Sequence, residues 1–321
     1  MDVDLNIYKL SSLIILGITL TLGILFSQEK ALSSLTCFSF IPHGYTGQFV
    51  SLPKNRDFCF KYSGNYTRMK TNQNGGRKLV FGGSKETAVA IGESQLLGMD
   101  VSDYGKGHDL NRIFPGYNFD VYAAPNNGPY EALAQVGRLS NELSIAERDV
   151  VVGFNYSTDI FRIRRHWRPQ NFVALNASDL EWIFYIPMYH EVLLLNARLS
   201  GVKFGSAVSN ASATLNYYFS MNDIERTINI GSWLTRLADS DLQLARHRSL
   251  VIFPPYWFYS GSDKQRAKIL KDYKSFACQA FDSKFFEAVL LGKLSDISPP
   301  LAEDNRHFLQ GYIDYDILNC N

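Results

Sequence analysis

The sequence carries almost no net charge: 32 Lys and Arg against 31 Asp and Glu leave +1, with a pI near 7.7. It has no extended basic tract and no RNA-binding signature, so nucleic acid is set aside as a partner. Low-complexity segments and internal repeats are absent too. With 46% hydrophobic and 14% aromatic residues, the chain can bury a sizeable core and does not have the make-up of a disordered protein. Its 321 residues allow one large domain or two ordinary ones. Cysteine is scarce. The four present, Cys37, Cys59, Cys278 and Cys320, include no C-x-x-C pair, which gives metal binding little support. Two readings stay open for them. Cys37 with Cys59 and Cys278 with Cys320 would make sensible disulfides in an oxidising compartment, or all four are buried thiols.

Long runs that are both charge-free and predominantly apolar are missing with one exception. After a short tail (1–9), residues 10–27 read LSSLIILGITLTLGILFS, 18 positions without a charge. At about 1.5 Å per helical residue this covers roughly 27 Å, enough for the hydrocarbon core of a bilayer. Its Ser and Thr are scattered and form no polar face. The following SQEKALSSL offers no small-x-small cleavage site, and Cys37 lies too far on for a lipid-attachment cysteine. The segment is therefore expected to be an uncleaved transmembrane anchor rather than a removable signal. Lys9 and the α-amine precede it and Lys30 follows. By a small margin this sets the N-terminus inside and the large domain on the extracytoplasmic, periplasmic side.

Residues 31–77, rich in Gly, Asn, aromatics and turn formers, are expected to form an irregular or β-rich lead-in closed by NQNGG at 72–76. From 78 to 321 the pattern changes to short apolar runs, each stopped by glycine or polar residues: TAVAI (87–91), FDVYA (119–123), DVVV (149–152) and SLVIF (249–253). Such runs mark strands buried on both faces, as in a parallel sheet. Helical patterns lie between them at 130–143, 180–199, 223–246 and 263–281, the last opening on Ser262 as N-cap. Strands alternating with helices predict an α/β sandwich with a mainly parallel sheet, and ligands sit at the carboxyl ends of such strands. The stretch 160–248 is long for one connection and is expected to be a helical insertion.

The polar stops hold a set of chemically able residues. Gly92-Glu93-Ser94 places a serine at a strand-to-helix turn, where a helix N-terminus favours developing negative charge. Taken alone, the ordinary account is a helix-capping serine. Gly128, in PNNG, can bring a backbone N–H close to a ligand, or be a turn glycine. Asn155, in Gly153-Phe154-Asn155, can donate a side-chain N–H to an oxyanion, or cap the next segment. Asp304 and His307, three apart near the C-terminus, can act as orienting acid and general base, or lie on an exposed polar loop.

Gly-x-Ser, then Gly, then Gly-x-Asn, then Asp-x-x-His, in that order, resembles the four sequence blocks of the SGNH hydrolases over about residues 85–318. The resemblance implies a three-layer flavodoxin-like α/β/α fold, with neither metal nor cofactor. Ser94, His307 and Asp304 would form the triad. Ser94, Gly128 and Asn155 would form the oxyanion hole, with Gly116 and Gly137 as alternatives to Gly128. It also implies attack on an ester carbonyl through an acyl-serine. The chain departs from the family in having Glu93 for the usual aspartate, Tyr156 directly after Asn155 with the next acid at Asp159, and a glycine unusually close behind His307.

Outside those blocks, the run RIRRHWR (162–168) is either a solvated face or a rim for an anionic or sugar substrate, with Arg165 pairing to carboxylates and Trp167 stacking on a ring. Trp257 either lines an acyl or sugar pocket or packs in the core. His166 and His190 are rival bases. The expected function is an esterase or O-acyltransferase that removes or transfers acyl groups, acetyl above all, on a cell-envelope polysaccharide or glycan. Its partners would then be that substrate, the membrane and proteins of polysaccharide biosynthesis. The alternatives are a lysophospholipase or lipid esterase, and an inactive glycan-binding or assembly subunit.

Overall fold

Each of the four apolar runs is a strand, and all four belong to one sheet. In the computed structural model, the described residues are 15–17, 37, 44–45, 50–62, 65–82, 86–98, 108–124, 127–163, 211–297, 313–318 and 320. The strands are β1 (Gly44–Tyr45), β2 (Val50–Ser51), β3 (Asp57–Tyr62), β4 (Asn65–Lys70), β5 (Arg77–Leu79), β6 (Glu86–Glu93), β7 (Tyr117–Ala124), β8 (Asp149–Asn155), β9 (His247–Phe253), β10 (Ala288–Gly292) and β11 (Tyr315–Ile317). Seven of them form a sheet in the order β11-β10-β9-β8-β6-β7-β5, with β5 and β11 antiparallel edges. The five inner strands are parallel and, by chain order, run 2-1-3-4-5. That order reverses between β6 and β8, and in open α/β sheets the crevice at such a reversal is the usual ligand position.

The helices are α1 (Ser94–Leu97), α2 (Asp109–Ile113), α3 (Pro129–Leu143), α4 (Asp159–Arg162), α5 (Ala211–Ser220), α6 (Asp223–Ala238) and α7 (Asp263–Asp282). The period-2 alternation of the strands divides the core in two. Val89, Ile91, Val150, Val152, Phe154, Leu250, Ile252 and Val289 face a layer built from α3, α5, α6 and α7. Within it the helices present apolar residues three or four apart, such as Ile230, Trp233, Leu234 and Leu237 on α6 and Ile269, Tyr273, Phe276 and Ala280 on α7. Phe154 stacks into this layer, 4.5 Å from Phe276 and 5.0 Å from Trp233 between ring centroids. The opposite face (Ala88, Ala90, Val121, Val151, Val251) is covered differently, by short helices α1 and α2 and by Phe58, Phe60 and Met69 of the β3–β4 hairpin.

Two boundaries move as a result. The lead-in shares a core with the sheet, and β5, at its very end, pairs with β7. The later part of the expected insertion, α5 and α6, is part of the helix layer over the sheet, so it belongs to the β8-to-β9 crossover. The helix expected at 223–246 stops at Ala238 and is followed by a 3-10 turn, Asp241–Leu244, capped by Ser240. Ser262 does cap α7, in a box with Gln265. The segment 180–199 lies outside the described residues, and of the candidate anchor only 15–17 are described, as helix. Among the described residues no helix is long and apolar enough to cross a membrane. Both cysteine pairs, Cys37–Cys59 and Cys278–Cys320, are joined as disulfides.

Candidate active site

The two Gly-x-polar motifs are coupled by packing. A Cβ on Gly92 would lie 2.9 Å from Leu96 Cδ2 and 3.1 Å from the Gly153 carbonyl oxygen, and one on Gly153 would lie 3.0 Å from Leu96 Cδ2. The glycines of Gly-x-Ser and Gly-x-Asn thus make one slot for Leu96. This seats the single turn of α1 directly on β6 and β8, at the carboxyl edge where the strand order reverses.

Ser94 is the first residue of that turn. Its N-cap is Glu93, whose carboxylate accepts from Gln95 N at 2.9 Å, so the capping role goes to the residue before the serine. The other end of the turn is also held. Gly98 ends it at φ +64°, the buried Arg77 donates to the Leu97 and Gly98 carbonyls, and His108 Nε2 donates to the Leu96 carbonyl at 2.9 Å. Because His108 Nδ1 accepts from Leu110 N (3.2 Å), the proton sits on Nε2. Burial, then the Arg77 charge, lower its pKa to about 3, so it stays neutral, and both its nitrogens are committed. His108 is a structural brace and not a base for Ser94.

Glu93 joins the nucleophile candidate to the oxyanion candidate. Ser94 Oγ donates to Glu93 Oε2 at 2.7 Å, and Asn155 Nδ2 donates to Glu93 Oε1 at 2.8 Å. Asn155 is fixed from two further sides: its Oδ1 accepts from Ser157 N (2.9 Å), and its own backbone N donates to Asp159 Oδ2 (2.9 Å). Asn155 therefore does what a turn asparagine does while still presenting an amide to Glu93. None of Glu93, Ser94, Asn155 and Asp159 is more than 4% exposed, so these bonds do not compete with water. Burial, then the Glu93 charge, push the Asp159 carboxyl well above the carboxylate range, and its Oδ1 has no hydrogen-bond partner among the described residues.

Gly128 follows β7 at the same edge as the N-cap of α3. Its φ of −100° is open to any residue. Glycine is explained there by close approach: a Cβ would lie 2.9 Å from Glu131 Oε2 and 3.3 Å from Arg162 Cβ. The Gly128 N–H donates to Glu131 Oε2 at 3.1 Å, closing a capping box, so an oxyanion at this amide would have to displace Glu131. Gly116 precedes β7 at the far end of the sheet and Gly137 lies inside α3, each with open space around it.

Of the two readings of Trp257, substrate pocket or core, the core is the one observed. The side chain is fully buried, its ring is 4.8 Å from that of Tyr218, and its indole N–H donates to the Ser157 carbonyl at 3.2 Å. It braces the turn after Asn155 from within the core and offers no face to a substrate. His247, at the amino end of β9, pairs with Glu287 at 2.6 Å, at the opposite end of the sheet from Ser94. His307, Asp304, Arg165, Trp167, His166 and His190 lie outside the described residues.

Sequence reasoning missed the roles of Glu93, Asp159, Arg77 and His108. The first two had a signal: an acid beside the serine, and another four residues after the asparagine. Arg77 and His108 had none, because the tertiary fold and not spacing brings β5 and the N-cap of α2 to α1. No family model matches this chain, and no curated protein matches it either.

Proposed function

We propose that the chain is a serine esterase or O-acyltransferase of the SGNH type, with a three-layer flavodoxin-like fold and Ser94 as nucleophile. The observation that carries this reading is the meeting of Ser94 and Asn155 on one buried carboxylate at the reversal of strand order. In the reaction, Ser94 Oγ attacks an ester carbonyl while His307 takes its proton, held by Asp304. The Asn155 amide has a second N–H beyond the one on Glu93, and this, with the Ser94 backbone N–H, receives the oxyanion. His307 returns the proton to the leaving alkoxide as the C–O bond breaks. Water or a sugar hydroxyl then resolves the acyl-serine through the same base.

Two features support His307. The described histidines, His108 and His247, are excluded by their bonding and position. Ile313, six residues after His307, lies against Gly292, at the carboxyl end of β10. Six residues span up to about 20 Å, and three strand spacings from β10 to β6 amount to about 14 Å, so the base is within reach.

The charge-free run at 10–27 and two disulfides suit an extracytoplasmic domain held at a membrane. The substrate class we favour is an O-acetylated cell-envelope polysaccharide or glycan, with Arg165 and Trp167 as its contacts. The test is hydrolysis of p-nitrophenyl acetate by the full-length protein in detergent. Activity that Ser94→Ala abolishes supports the reading, and equal rates for the two proteins would refute it. A strong preference for long acyl chains would redirect the substrate towards lipid esters.

A further inference from the structure

Glu93 does more than one capping bond requires. Its Oε1 accepts from both Gln95 N and Asn155 Nδ2, and its Oε2 accepts from Ser94 Oγ, in a site 3% exposed at that residue. A carboxylate can serve three converging donors because it only accepts. We infer that Glu93 is a positioning residue, setting the Ser94 hydroxyl and the Asn155 amide in a fixed relation through its two oxygens. The inference rests on the reading of Ser94 as nucleophile.

The geometry gives it content. The Asn155 side chain is a planar amide, with Oδ1 held by Ser157 N and one Nδ2–H held by Glu93. These two bonds fix the plane, and so fix the direction of the remaining Nδ2–H. The Asp159 bond to Asn155 N fixes the backbone beneath it. On the other oxygen, Glu93 holds Ser94 Oγ within reach of an incoming carbonyl until the base draws off its hydrogen. An uncharged amide at position 93 cannot reproduce this arrangement. If its oxygen keeps Gln95 N and Asn155, its NH2 group faces Ser94 as a donor, and the hydroxyl must rotate. If it turns over, the NH2 group faces two N–H donors. Shortening the side chain by one methylene keeps the charge but reaches fewer of the three partners.

The experiment compares wild type, Glu93→Gln, Glu93→Asp, Asn155→Ala and the double variant Glu93→Gln/Asn155→Ala, all full-length. It reads the rate at which a fluorophosphonate labels Ser94, and kcat and KM on p-nitrophenyl acetate, below each variant's measured Tm. Misplacement of a reacting group by about 1 Å costs roughly 100-fold. Glu93→Gln should therefore lower kcat and the labelling rate by about 10–100-fold with KM nearly unchanged, and Glu93→Asp should recover part of the loss. The double variant should be little slower than Asn155→Ala, since Glu93 acts partly through that residue. A labelled wild type with Glu93→Gln equally fast would overturn this inference alone, as would a loss confined to Tm. A wild type unlabelled at Ser94 would overturn the nucleophile reading and this inference with it.

Discussion

Replacing Gly153 by alanine would put a methyl group 3.0 Å from Leu96 Cδ2 and 3.1 Å from Leu96 Cβ and Cδ1. Carbon atoms prefer about 3.5–4.0 Å, so three contacts are each too short by roughly half an ångström. The β8 backbone cannot yield, because it is paired on one side with β6 and on the other with β9. The strain must fall on Leu96, and with it on α1 and Ser94. Overpacking of this kind costs about 1–3 kcal/mol. At roughly 2–4 °C per kcal/mol for a domain of about this size, Tm should drop by about 2–12 °C. Leu96→Ala alone empties the slot and should cost about 2–5 kcal/mol. In Gly153→Ala/Leu96→Ala the new methyl group enters the vacated space, so the double variant should be more stable than the sum of the single changes by about 0.5–3 kcal/mol. Urea unfolding of the four proteins measures this directly. Additive costs, or a Gly153→Ala protein as stable as wild type, would refute the shared slot.

Asn155→Ala should lower kcat on p-nitrophenyl acetate by about 100–1,000-fold, the usual loss of one oxyanion donor, and unchanged turnover would remove Asn155 from the hole. Breaking the disulfides releases loops of 22 and 42 residues. Loop entropy assigns these about 3 and 4 kcal/mol, so Cys278→Ser/Cys320→Ser should lower Tm more than Cys37→Ser/Cys59→Ser. His108 makes stability depend on pH. Its folded pKa of about 3 lies below the ordinary 6.5, so the unfolded chain binds the extra proton first. Stability should fall as pH drops from 6.5 towards 3, by about 1.4 kcal/mol per unit and ~5 kcal/mol in all. His108→Asn should flatten urea midpoints across that window. Asp159 has the opposite sign. Its raised folded pKa costs stability as pH climbs past the usual carboxylate value, so Asp159→Asn should gain stability over wild type from pH 5 to 8.

The strands were legible because burial on both faces leaves an uninterrupted apolar run, and the runs at 87–91, 119–123, 149–152 and 249–253 all lie within observed strands. β10 was missed, although AVLLG carries the same signal and ends on Gly292-Lys293 like the other runs. The β3–β4 hairpin could only be read as β-rich, since FCF and TRM show no clear period until Phe60 and Met69 are seen to face the sheet. At the site, residue types and order pointed to Ser94 and Asn155. They could not show that Glu93 joins the two, because a carboxylate's partners depend on a fold that brings residues 62 apart within 2.8 Å. Trp257 was open to two readings because an aromatic after a strand looks the same in a pocket and in a core. Only its burial and its bond to Ser157 decide.

The central claim is that Ser94 is a nucleophile, and the most direct measurement is fluorophosphonate labelling of the full-length protein followed by mass-spectrometric mapping of the modified residue. The account predicts a single adduct on Ser94, absent in Ser94→Ala and slowed in His307→Ala. An adduct on any other residue, or none on a folded protein, would contradict it.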